Sequence, residues 1–137
     1  MNKLKHIVIF LFLNALAWTQ HFVPAHVAAG LTNPFNPMTI YITSATIDDV
    51  DLVTGDEIGV FDGTLCVGAG EVDGTITTDN MLTFVASSAS DGDPGFTSGN
   101  SISYRYWDSS LATEILNVST TVLQGNEVFT ELGEVFV

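Results

Sequence analysis

The side chains able to do chemistry in this sequence are few in kind and unevenly placed. His21 and His26 lie near the N-terminus, and no histidine follows them up to Val137. A Ser-His-Asp triad, a Cys-His pair inside a core and a histidine-rich zinc site each need an imidazole where the sequence has none. The two histidines could share a metal only with ligands from elsewhere, and ordering a flexible segment for that purpose costs entropy. Cys66 is the single cysteine, so it has no partner for an internal disulfide. Its neighbours Leu65 and Val67 mark it as a strand residue acting as a small hydrophobe, not as a nucleophile or an intermolecular bridge. Gly68-Ala69-Gly70 lies within a strand pattern and opens no helix, which rejects a dinucleotide fingerprint.

Carboxylates are the abundant group: 16 acids stand against three Lys or Arg, a formal net charge of −13. Asp48-Asp49-Val50-Asp51 and Asp91-Gly92-Asp93 gather acids within short loops. Hard oxygen ligands are what calcium prefers, although neither loop follows the Asp-x-Asp-x-Asp-Gly pattern. Asp48, Asp49, Asp51, Asp91 and Asp93 are therefore the candidate calcium ligands, set against the plainer reading that they are solvated turn acids. Calcium is allowed and no cofactor is required. Paired-acid glycoside chemistry would need one carboxyl desolvated beside another, and nothing in the spacing marks such a pair, so no enzymatic activity is expected.

The segment Ser101-Ile-Ser-Tyr-Arg-Tyr-Trp-Asp108 is the richest in recognition chemistry. A period of two groups Ile102, Tyr104 and Tyr106 on one face and Ser103, Arg105 and Trp107 on the other. An unpaired arginine is costly in a core, so the Arg105 face is predicted to point outward with Trp107 beside it. Such a pair could stack on a sugar ring or anchor a partner, which makes Tyr104, Arg105, Tyr106 and Trp107 the candidate binding residues. The plainer alternative has Arg105 bridging a nearby acid such as Glu114, with Trp107 folded over its own sheet edge. Asn117-Val118-Ser119 is a formal glycosylation acceptor, a weak signal by itself.

The positions of the cations separate the chain into parts. Lys3 and Lys5 are the only lysines, and Arg105 is the only arginine. The two lysines precede an apolar run from Ile7 that reaches Trp18, interrupted by Asn14 and carrying Ala15-Leu16-Ala17. This is the pattern of a secretory signal, assigned to residues 1–19 with cleavage after Ala17 or Thr19. The run falls well short of the roughly 20 residues that span a bilayer, so no membrane span is expected after cleavage. The mature chain then sets 16 carboxylates against Arg105 alone, a net of −15. Lysine-free, it excludes Schiff-base, P-loop and lysine–asparagine crosslink chemistry. Its charge makes nucleic acid and anionic membrane surfaces poor partners.

Residues 20–37 contain three prolines and no charged side chain, a composition that cannot sustain a helix or a central strand for long. They are predicted to form an extended apolar arm. It either packs locally or, through Phe22, Val23, Val27, Leu31 and Phe35, docks on a neighbouring molecule. From Met38 to Val137 short alternating strands are separated by glycine and aspartate turns. Ile40 and Ile42 share one face of the first, and Asp62-Gly63-Thr64 marks a hairpin. The predicted fold is all-β: an antiparallel two-sheet β-sandwich, immunoglobulin-like or jelly-roll-like, over residues 38–137.

The string from Thr54 to Gly70, the Ala86-Ser-Ser-Ala-Ser90 run and Gly95 to Asp108 together resemble a β-sandwich module repeated in large secreted surface proteins of bacteria that use the type IX route. The resemblance implies an extracellular, non-catalytic domain. Asn33-Pro-Phe-Asn-Pro37 is similar to the opening of the C-terminal sorting domain of such proteins, but the residues after it do not continue that pattern. The expected function is structural or adhesive, with self-association into a filament through the arm. The alternative is a carbohydrate-binding module, calcium-assisted or not, acting through Trp107, Tyr104 and Tyr106.

Overall fold

The computed structural model describes residues 19–137; the stretch read as an export signal lies outside the described residues except for Thr19. Among the described residues one turn of helix, α1 (Ala25–Ala28), precedes nine strands: β1 (Met38–Ile42), β2 (Thr46–Ile47), β3 (Val50–Asp51), β4 (Glu57–Asp62), β5 (Leu65–Glu71), β6 (Leu82–Ala86), β7 (Ser103–Asp108), β8 (Thr113–Ile115) and β9 (Glu134–Phe136). The chain is mostly β, as its alternation predicts. Residues 121–124 contribute only a single bridge, from Gln124 to Phe136.

Seven strands form one sheet in the order β8-β7-β4-β5-β6-β1-β9, while β2 and β3 pair by themselves. The predicted antiparallel arrangement fails at one pair, because β1 runs parallel to β9, with Ile40 opposite Val135. A tight hairpin forces antiparallel pairing, whereas β9 reaches β1 from far along the chain and is free of that constraint. The sheet is therefore mixed.

Alternation places the core. Met38, Ile40 and Ile42 of β1 are buried, and they share one cluster with Ile58 and Val60 of β4, Tyr104 of β7 and Val135 of β9. Within the same cluster Phe96 and Phe129 stack with ring centroids 4.8 Å apart, both fully buried. In β5 the register passes from Val60 opposite Gly68 to Phe61 opposite Cys66, which leaves Val67 unpaired. This bulge turns Val67 into the core, where it is buried.

The two halves of the sheet, β8-β7-β4-β5 and β6-β1-β9, are joined by a single residue pair, Gly68 opposite Ala86. A Cβ at Gly68 would stand 2.6 Å from the Val85 carbonyl oxygen and 3.0 Å from the Ala86 Cα. Only glycine lets the two backbones meet there.

Candidate functional site

Strand β4 is buried on both faces, an unusual state for the strand that carries Glu57. Ile58 and Val60 face the core. Glu57, Gly59 and Phe61 face the other way and are covered by the N-terminal segment of the same chain. The coupling is specific. The Glu57 carboxylate accepts hydrogen bonds from two successive backbone amides, His21 N–H at 2.7 Å and Phe22 N–H at 2.8 Å. Hydrogen bonds to an ionised acceptor are the stronger kind, and two in a row fix the direction of the incoming chain.

Side chains complete this dock. The His21 ring stacks on Trp107 at 3.6 Å between centroids and 7° between planes. Phe22, 4% exposed, meets Phe61 edge to face at 5.4 Å. Gly59 forms its floor: a Cβ there would lie 3.0 Å from Phe22 Cγ and 2.8 Å from the Phe61 ring. Glu114 of β8 accepts from two side chains of the site, His21 Nε2 at 3.1 Å and Arg105 Nη1 at 3.0 Å. Facing a carboxylate, the His21 Nε2 must carry the proton. The His21 hydrogen bond first, and then Arg105, hold the Glu114 carboxyl below its ordinary pKa of 4.5 against the opposing effect of desolvation. The Arg105 guanidinium also lies 4.0 Å over the Phe61 ring.

These contacts correct several expectations. The arm is not fully extended, because α1 interrupts it. Phe22, a predicted docking residue for a neighbour, is buried on its own sheet, while Val23, Val27 and Phe35 are exposed and Leu31 is half-buried. Trp107 does point to the Arg105 face, but His21 covers it instead of leaving it open. The Arg105–Glu114 bridge forms as the plainer reading had it. The four binding candidates do not act as one group. Tyr104 and Tyr106 face inward while Arg105 and Trp107 face the N-terminal segment, because neighbours along a strand project to opposite sides. Glu57 was missed by sequence reading. Its one sequence signal is an acid opening the apolar run Ile58 to Phe61; its place opposite Trp107 is seen only in the structure.

Tyr104 and Tyr106 instead line a cleft of about 760 Å³ at the end of the molecule where β1 leads into β2 and where residues 117–123 cross. Burial raises the pKa of both phenols, with the charge of Glu127 adding to the effect on Tyr104. The Tyr104 hydroxyl and His26 Nδ1 are the two buried side-chain polar atoms without a partner among the described residues. His26 is buried, and desolvation lowers its pKa.

The acidic loops are turns. Asp48 and Asp49 have φ of 50° and 64° and form the two-residue connection between β2 and β3, the positive-φ pair that a tight hairpin needs. Ser90 and Asp93 exchange backbone hydrogen bonds across Asp91-Gly92. Asp48, Asp49, Asp51, Asp91 and Asp93 are all exposed, and among the described residues no three acids, histidines or cysteines gather in a metal-binding group. The calcium reading is corrected accordingly: these side chains lie along turns instead of converging. Cys66 is half-buried, donates its thiol to the Gly68 carbonyl at 3.6 Å, and has its pKa pushed up to about 11, chiefly by desolvation.

In comparisons with known proteins, no family model, no curated protein and no solved structure matches the chain. Among the described residues no helix is long and apolar enough to cross a membrane.

Proposed function

We propose that the chain is a non-enzymatic, extracellular structural or adhesive domain, exported by its N-terminal signal, that self-associates by exchanging N-terminal segments between copies. In this reading the two halves of the sheet are the layers of a β-sandwich, as the resemblance to the type IX surface module implies. The supporting observation is the dock itself. Glu57, Gly59, Phe61, Trp107 and Glu114 all belong to the sheet, and they engage His21 and Phe22 of the arriving segment. A neighbour's His21 and Phe22 can make the same contacts, which is the physical basis of exchange between identical protomers. Residues 29–34, which include Gly30 at φ 81°, separate the docked portion from β1 and give the crossing its length.

A Cβ at Gly59 would stand 3.0 Å from Phe22 Cγ and displace the Phe61 ring, 2.8 Å away, which brings cysteines at positions 22 and 59 within reach of a disulfide. The test mixes mature Phe22→Cys protein with differently tagged Gly59→Cys protein, both carrying Cys66→Ser, under oxidation. Exchange gives a covalent pair of unlike chains, and Glu57→Ala in the second chain abolishes it. Unmodified protein is expected to form oligomers or filaments in light scattering and electron microscopy. Monomers at every concentration, with no crosslinked pair, would overturn the proposal.

A further inference from the structure

The cleft beside Tyr104 makes no contact with the N-terminal dock and goes beyond the assembly reading. Its volume of about 760 Å³ falls within the roughly 300–1,000 Å³ typical of small-molecule sites. Its chemistry is neutral and mixed. Ile42, Ile58, Ile115 and Val118 supply an apolar floor, and Tyr106 adds an aromatic ring. Hydroxyls and an amide crowd the wall: Thr43, Ser44, Asn117, Ser119, Thr120 and Thr121.

These groups differ in what they have left to offer. Thr43 already donates to the Val137 carbonyl and Thr120 to Glu127. Ser44, Asn117, Ser119 and Thr121 make no side-chain hydrogen bond to another described residue, so their donors and acceptors remain open to a ligand. Tyr104 is 4% exposed, yet its hydroxyl has no partner. A buried hydroxyl without a hydrogen bond is costly, and a water or a ligand group that reaches it supplies the missing bond. No lysine, arginine or histidine lines the cleft, Asp48 is the one acidic side chain in its lining, and the Glu127 carboxylate accepts from Thr120 in its wall. An anion would therefore meet negative charge and no countercharge.

We propose that this cleft is a binding site for a short neutral saccharide, whose hydroxyls pair with Tyr104, Asn117 and Ser119 while an apolar sugar face lies on Tyr106. A sugar ring matches this lining because it combines many neutral donors and acceptors with C–H faces that stack on aromatic rings. The site differs from the strand surface that the sequence suggested, since Trp107 takes no part in it.

The test uses mature protein and a panel of neutral oligosaccharides, observed by ligand-detected NMR at millimolar concentration, with sulfated and uronic-acid glycans alongside. At least one neutral saccharide is expected to bind and the acidic ones are not. Tyr104→Phe and Asn117→Ala should each weaken binding by about tenfold, the effect of losing one good hydrogen bond. Trp107→Ala should leave binding unchanged. Without ligand, Tyr104→Phe is expected to keep or raise the melting temperature, because it removes only an unpaired hydroxyl. The inference is overturned if no neutral saccharide binds, if acidic glycans bind better, or if binding survives Tyr104→Phe and Asn117→Ala but is lost with Trp107→Ala.

Discussion

Cys66 shows how burial decides what a residue can do. The thiolate is the reactive form, and desolvation disfavours it more than a backbone hydrogen bond at Gly68 and the charge of the neighbouring Arg105 favour it. Cys66 is therefore expected to resist alkylation at neutral pH in the folded protein and to react at the rate of a free thiol after denaturation. Rapid labelling of the native protein would contradict its placement. The flanking Leu65 and Val67 gave this away in the sequence. The environment of Glu57 was not visible in the same manner, because its two hydrogen-bond donors lie 35 and 36 positions earlier in the chain.

The N-terminal segment is an element whose docking should depend on pH. Glu114 has its pKa lowered in the folded state, so its contribution to stability is present above about pH 4.5 and is lost as pH falls through the lowered value. His26 is also lowered, by desolvation. Its unfolded form binds a proton below 6.5 before the buried form does, so stability is lost as pH falls below that point. Acidification should therefore release the segment in two steps, the earlier from His26 and the later from Glu114. Amide exchange at His21 and Phe22 would follow the release. His26→Phe should remove the earlier step and Glu114→Gln the later one; an acid profile unaltered by both variants would contradict this account. The prolines and lack of charge in residues 20–37 showed that the segment was neither helix nor central strand for long. They did not show where it rests, which depends on Gly59 leaving space for Phe22 and on Trp107 lying in register with Glu57.

At the scale of the whole molecule, the two halves of the sheet are held in one hydrogen-bonded array by the approach of Gly68 to Ala86. Gly68→Ala would press a methyl group against backbone atoms on β6, and neither can yield as a flexible side chain could. A loss on the order of 2–4 kcal/mol is expected, in the range of the larger point-mutation effects. Gly74→Ala is the control, because its nearest neighbour would be the Asn80 side chain at 3.8 Å. Urea unfolding of both variants distinguishes them, and equal stabilities would show that the single bridge does not unite the halves. The core faces of β1 and β7 were legible because Met38, Ile40 and Ile42, and then Ile102 and Tyr104, repeat every second residue. The parallel pairing of β9 was not, since strand alternation looks the same in either direction.

The sequence by itself determined the all-β class, the inward and outward faces of β7, the hairpin at Asp62-Gly63 and the absence of lysine chemistry after Lys5. Each follows from side-chain type and local periodicity, which act over a few residues. Only the tertiary structure decided that His21 covers Trp107, that Glu57 holds the N-terminal segment, that the acidic loops are exposed turns, and that Tyr104 borders a cleft. Those features join residues far apart in the chain, and their energetics rest on burial and on partners that no local pattern specifies.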